Sequence, residues 1–118
     1  VELRTPQAIA EAYFEAWRAK DFGAVRRLLH DDLSFQGPYD RFNSASDFIN
    51  AITQLSGLIK TLEKRNVLVN GQDVCTIYDL VPVNDATNVI MAELYHVADD
   101  KITSIRLIFD TVTFSAIF

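Results

Sequence analysis

The sequence predicts an α+β fold, with three helices packed on one face of a curved, mostly antiparallel sheet in the order α-α-β-α-β-β-β-β. Three observations carry that prediction. Apolar residues recur at helical spacing through the first half of the chain. The second half changes to runs rich in Val, Ile, Thr and Tyr that alternate as strands do. Between two of those runs stands Asn70-Gly71, a strong short-range hairpin signal. The 118 residues are expected to form one domain, 1–118, around a single core, with no internal repeat or linker.

The first helix opens at Thr5-Pro6, where a hydroxyl can cap and proline suits the first helical position. Ile9, Ala12, Tyr13, Ala16 and Trp17 then share one face, so Tyr13 and Trp17 are expected to point inward together. Asp21 can cap a short second helix with Val25, Leu28 and Leu29 on its apolar side. His30 and the Asp31-Asp32 pair are expected to close it, the histidine near its last carbonyls. Residues 33–37 alternate as a half-buried strand, with Leu33, Phe35 and Gly37 on one face, and Gly37-Pro38 breaks it.

A loop bearing Tyr39 and Arg41 leads to Ser44, which with Asp47 fits a capping box. Phe48, Ile52, Leu55 and Ile59 then predict a third helix of about four turns. Strands follow on either side of Asn70-Gly71, over 88–97 and over 102–110, with reversals at Asn84-Asp85 and Asp99-Asp100. Alternation is expected to turn Val74, Thr76, Tyr78 and Leu80 inward, leaving Cys75, Ile77 and Val81 on the outer face. A strand apolar on both faces suits a sheet whose outer side packs against a second subunit. The apolar tail, with Phe114, Ile117 and Phe118, should pack over the sheet, cover a cavity or enter a dimer interface.

Bulk properties narrow the function. A net charge of -5 and a pI near 4.8 argue against a phosphate-tracking surface, so no nucleic-acid partner is expected; Arg26-Arg27 and Lys64-Arg65 read as solvated pairs. Single Cys75 excludes an internal disulfide and a multi-cysteine zinc site, and is expected to be a small buried hydrophobe. His30 and His96 lack any ligand spacing, so no metal is expected, and no glycine-rich phosphate loop or nucleophile elbow is present. No apolar run approaches the roughly 20 residues needed to cross a bilayer, and no signal-peptide pattern opens the chain. A cytoplasmic protein without a membrane partner is the expectation. The chain begins at Val1 rather than methionine, as a trimmed chain would.

Residues 13–38, YFEAWRAKDFGAVRRLLHDDLSFQGP, join helix, helix and strand without a spare residue. With the element order, that segment resembles the cone-shaped α+β barrels of the nuclear transport factor 2-like superfamily, particularly its SnoaL-like and ketosteroid isomerase-like branches. The resemblance implies an apolar cavity between sheet and helices and dimerisation through the outer sheet face. In the isomerase branch a first-helix tyrosine donates to an oxyanion and an aspartate before the proline is the base. Tyr13 matches the tyrosine, whereas Gly37 stands at the base position. Glu93 matches the branch's second donor, a protonated aspartic acid, and would bring Met91 and Tyr95 to its face. The epoxide-hydrolase branch carries an aspartate where Leu107 stands, so that chemistry is not implied.

A carboxyl in an apolar cavity resists ionisation, so Glu93 should have a raised pKa and, with Tyr13, present two donors to one developing charge. Asp40 at the rim is the best substitute for the missing base. The expected lining is Trp17, Phe35, Phe48, Ile52, Tyr78, Met91, Tyr95, Ile105, Leu107 and Phe109, suited to a small hydrophobic molecule with one polar handle. The leading reading is a cofactor-independent isomerase, cyclase or dehydratase. The alternatives are a non-catalytic binding or dimerisation module that lacks the base, or a scaffold altered by design. In the plainer alternative for the residues themselves, Tyr13 satisfies a core polar group, Glu93 lies outward or pairs with a cation, and His96 alternates to the surface.

Overall fold

The computed structural model describes residues 4–84 and 87–117. It contains α1 (Pro6–Arg18), α2 (Phe22–Arg27), β1 (Leu29–Gln36), β2 (Arg41–Phe42), α3 (Ala45–Ser56), β3 (Ile59–Asn70), β4 (Asp73–Pro82), β5 (Val89–Ala98), β6 (Lys101–Phe109) and α4 (Thr111–Ile117). One six-stranded sheet has the order β2-β1-β6-β5-β4-β3, antiparallel except where β1 runs parallel to β6. The sheet curves without closing, and the helices pack on it as the sequence predicts.

Local chemistry sets the helix ends. Thr5 accepts from the Ala8 amide, Asp21 from Ala24 and Ser44 from Asp47, so each predicted cap is made. The junction between α1 and α2 is compact because Lys20 adopts φ 59. The Lys20 and Asp21 amides then reach back to the Trp17 and Ala16 carbonyls, a Schellman closure with lysine where glycine is usual. The Lys20 ammonium donates to the Ile59 carbonyl at 2.6 Å and ties that turn to β3.

Several boundaries differ from expectation. β1 starts at Leu29, so His30, Asp31 and Asp32 lie in a strand rather than ending α2. Pairing of Leu29 with Ile102 of β6, distant in sequence, recruits them, and the His30 Nδ1 accepts from the Asp32 amide instead of meeting helix carbonyls. Ile59 begins β3 and does not extend α3, which ends at Ser56. The loop after Gly37 holds β2, closed by the Gly37 amide on the Asp40 carbonyl at 2.9 Å. Asn70 pairs with Asp73, placing the hairpin reversal at Gly71-Gln72, with positive φ at Gly71 alone, as a type II′ turn requires. Asp99 and Asp100 both have positive φ, the type I′ pattern. The predicted reversal at Asn84-Asp85 includes Asp85, outside the described residues. Phe118 of the tail also lies outside them.

The core lies between helices and sheet. Ile9, Tyr13, Phe14 and Trp17 of α1 are buried against Leu33, Val74, Tyr95, Ile102 and Ile105 of the strands, each side chain of this size contributing about 1.5–3 kcal/mol when removed from water. On the opposite sheet face Ile90, Leu94 and Ile108 are exposed, and Cys75 is half-buried there rather than buried. Asp79, also on that face, is covered by the Arg65 guanidinium through two contacts of 3.0 Å. No helix among the described residues is long and apolar enough to cross a membrane.

Candidate functional site

A cavity of about 280 Å³ opens between α1, α3 and the concave sheet face, just below the roughly 300–1,000 Å³ usual for ligand pockets. Its walls include Trp17, Phe35, Phe48, Ile52, Met91, Leu107 and Phe109, together with Tyr13, Tyr78 and Glu93. Asp40 lies at the exposed rim and lines the same opening as Gly37.

Period-two geometry brings the polar groups together. Glu93 on β5 pairs with Thr76 of β4 and Leu107 of β6, so its side chain stands at the middle of the sheet on the inward face. Tyr78 pairs with Met91, two residues away, and its hydroxyl donates diagonally across the strands to Glu93 Oε1. From above, the α1 residue Tyr13 donates its hydroxyl to Glu93 Oε2 at 3.3 Å. Glu93 is therefore inward, buried at 6 % exposure and held by two phenols, not in solvent and not paired with a cation.

Burial pushes the Glu93 carboxyl up to about 7, while the hydrogen bonds from Tyr78 and Tyr13 and the nearby Tyr95 hydroxyl oppose that rise. Desolvation, followed by the neighbouring Glu93 charge, holds all three phenols well above their ordinary value. The phenols thus stay neutral donors, and Glu93 is the group that changes charge near neutrality. At that pH it can take a proton or give one. The arrangement differs from two donors aimed at an empty point, because Tyr13 and Glu93 are bonded to each other.

Two predicted lining residues are corrected. Tyr95 and Ile105 face inward but lie in the solid core, not on the cavity wall. Their register explains it: Tyr95 pairs with Ile105, and Ile105 with Phe35, one step from the open end at Leu107 and Phe109. The Tyr95 ring meets the Tyr13 ring edge-on at 5.2 Å. Its hydroxyl lies near Glu93 and Thr76 without reaching hydrogen-bond geometry, the one buried side-chain polar atom without a partner among the described residues.

The mouth was not foreseen in detail. Tyr39, Phe109 and Phe114 form a ring cluster with centroids 4.6–5.9 Å apart, and Tyr39 donates to the Thr111 carbonyl at 3.1 Å and meets the Ser115 hydroxyl at 2.6 Å. Phe114 of the tail lines the cavity and packs on Phe109 of β6. Asp110 accepts from the Val112 amide and the Thr113 hydroxyl, and that capping pair was the signal for α4. Phe42 and Leu55 join the wall from β2 and α3. Gly37 adds no side chain, and a Cβ there would meet the Phe35 ring at 3.3 Å.

Elsewhere, His96 points outward and contacts Asp73 at 2.7 Å. Arg26 engages Asp31 and the Leu29 carbonyl, and Lys64 lies 5.6 Å from the Phe14 ring centroid. No group of three His, Cys, Asp or Glu side chains converges with metal-binding geometry among the described residues.

Comparisons with known proteins agree on the fold. An NTF2-like protein of unknown function from Cytophaga hutchinsonii superposes with a TM-score of 0.83 at 22% identity, covering 98% of this chain and 97% of that one. An LEH-like epoxide hydrolase from M. tuberculosis gives 0.80 at 20% identity, covering 95% and 88%. A putative ketosteroid isomerase from Kribbella flavida gives 0.79 at 15% identity, covering 89% of this chain and 77% of that one. No curated protein sequence matches the chain. The family model of the SnoaL-like domain matches residues 10–105, and with that match the chain belongs to the SnoaL-like family of the NTF2-like superfamily.

Proposed function

We propose that the domain binds a small, largely apolar molecule in the cavity and that Glu93 exchanges a proton with it. The observation that carries this reading is one buried carboxyl, raised to about 7, on the floor of an apolar cavity and held by Tyr13 and Tyr78. Such a group suits cofactor-independent isomerisation, cyclisation or dehydration, in which a proton leaves one atom of the substrate for Glu93 and returns at another. Asp40 at the rim is the substitute for a second acid-base group. A binding module without turnover is the second reading, favoured by Gly37, which supplies no base where the isomerase branch has one.

The same proposal includes a homodimer joined through the outer sheet face, where Ile90, Leu94 and Ile108 are 43–61 % exposed. Native mass spectrometry of the purified protein tests both parts. We expect a dimer carrying a retained small molecule that is lost from Glu93→Gln. A monomer at micromolar concentration would reject the dimer. Retention undiminished in Glu93→Gln would reject the role of Glu93.

A further inference from the structure

The cavity has a one-sided charge. Among the described residues its ionisable lining consists of Glu93 on the floor, Asp40 at the mouth and the phenols Tyr13, Tyr39 and Tyr78, with no lysine, arginine or histidine. An anionic ligand would therefore enter an apolar space with two carboxyls and no cation to receive it. With Glu93 ionised, the floor offers acceptors rather than donors, because the Tyr13 and Tyr78 hydroxyls are already spent on the two Glu93 oxygens. What remains open there are carboxyl lone pairs, which call for a ligand that donates.

We propose that the ligand class is a protonated amine: a compact hydrophobic body with a single ammonium that docks on Glu93. This rests on the reading that the cavity takes a ligand at that residue. An ammonium neutralises the one charge whose burial opposes ionisation, and forms a charge-assisted hydrogen bond to it. The rings of Trp17, Phe35 and Phe48 line the cavity and give the body an apolar wall. A net charge of -5 favours the approach of a cation over that of an anion.

The sign of the pH dependence separates this class from a neutral acceptor. The groups facing Glu93 are Tyr13 from α1, Tyr78 and Thr76 from β4, Tyr95 on β5 and Leu107 from β6. The three phenols stay neutral through this range, so Glu93 alone changes charge on the floor. Amine affinity must rise with pH as Glu93 ionises, whereas a carbonyl accepting from protonated Glu93 must bind more weakly.

Calorimetric titration with naphthylethylamine, naphthylethanol and naphthylacetate provides the test. At about pH 8 the amine should bind about tenfold tighter than the alcohol, with the acetate weakest, and the amine's advantage should shrink toward about pH 5.5. In Glu93→Gln, checked for folding by circular dichroism, the ratio of amine to alcohol affinity should fall to near one. The wild-type pH series stands by itself if that variant does not fold. An alcohol that matches the amine at the higher pH, or an amine advantage that persists in Glu93→Gln, overturns the inference while leaving a ligand cavity. Failure of all three probes to bind overturns both.

Discussion

Glu93→Gln is expected to make the protein more stable than the wild type at about pH 8, by about 2 kcal/mol, and to remove most of its pH dependence between about pH 5 and pH 7. The folded state holds the Glu93 proton up to about 7, against 4.5 for the ordinary group. Between those values the folded state binds more protons than the unfolded one, so stability falls as pH rises through the window and is level above it. A rise of that size corresponds to about 3 kcal/mol at about 1.4 kcal/mol per pH unit. Glutamine removes that cost, but its amide nitrogen only donates and cannot accept from the phenol it would face, so one lost hydrogen bond returns about 1 kcal/mol. Below about pH 5 the variant should therefore be slightly less stable than the wild type. Asp31 and Asp110, held below the usual carboxylate range by Arg26 and by Thr113 respectively, act in the opposite direction but equally in both proteins. Urea unfolding of the pair across this range checks the expectation; parallel curves would contradict it.

Ile105→Ala is expected to cost about 2–5 kcal/mol, and Leu107→Ala appreciably less, although the two residues share a strand and a face. Ile105 is 2 % exposed and sits between Phe35 and Tyr95 in register, so truncation leaves a void that the neighbouring strands cannot fill. Leu107 is half-buried and borders existing space, so its truncation enlarges the cavity and sacrifices fewer contacts. Against a typical total of about 5–15 kcal/mol, the first change should leave a marginal fold. Denaturant midpoints decide the matter, and an equal or greater loss for Leu107→Ala would contradict the division between core and wall.

That division was not legible in the sequence, and the reason is geometric. Alternation assigns a face, which is why Val74, Thr76, Tyr78 and Leu80 are all buried as expected. It says nothing of depth along the cavity axis, so Tyr95 and Ile105 read the same as Met91 and Leu107. Caps at Thr5, Asp21 and Ser44 were readable because each acts within three residues. The start of β1 was not, because its pairing with β6 bridges distant segments and a run such as His30-Asp31-Asp32 has no strand pattern of its own. β2 is two residues long and carries no period. The pairing of Tyr13 with Glu93 was legible through resemblance, and Tyr78 only as an inward residue. Its hydroxyl on Glu93 depends on a diagonal reach across the sheet that spacing within one strand does not encode.

The chemistry of the site depends on Glu93 being a buried carboxyl that changes charge near neutrality. The most direct measurement is the side-chain carboxyl carbon shift of Glu93 followed by NMR against pH, with the resonance assigned by its absence from Glu93→Gln. The predicted midpoint is about 7, and a midpoint at the ordinary 4.5 would contradict the buried, phenol-held carboxyl on which the site is built.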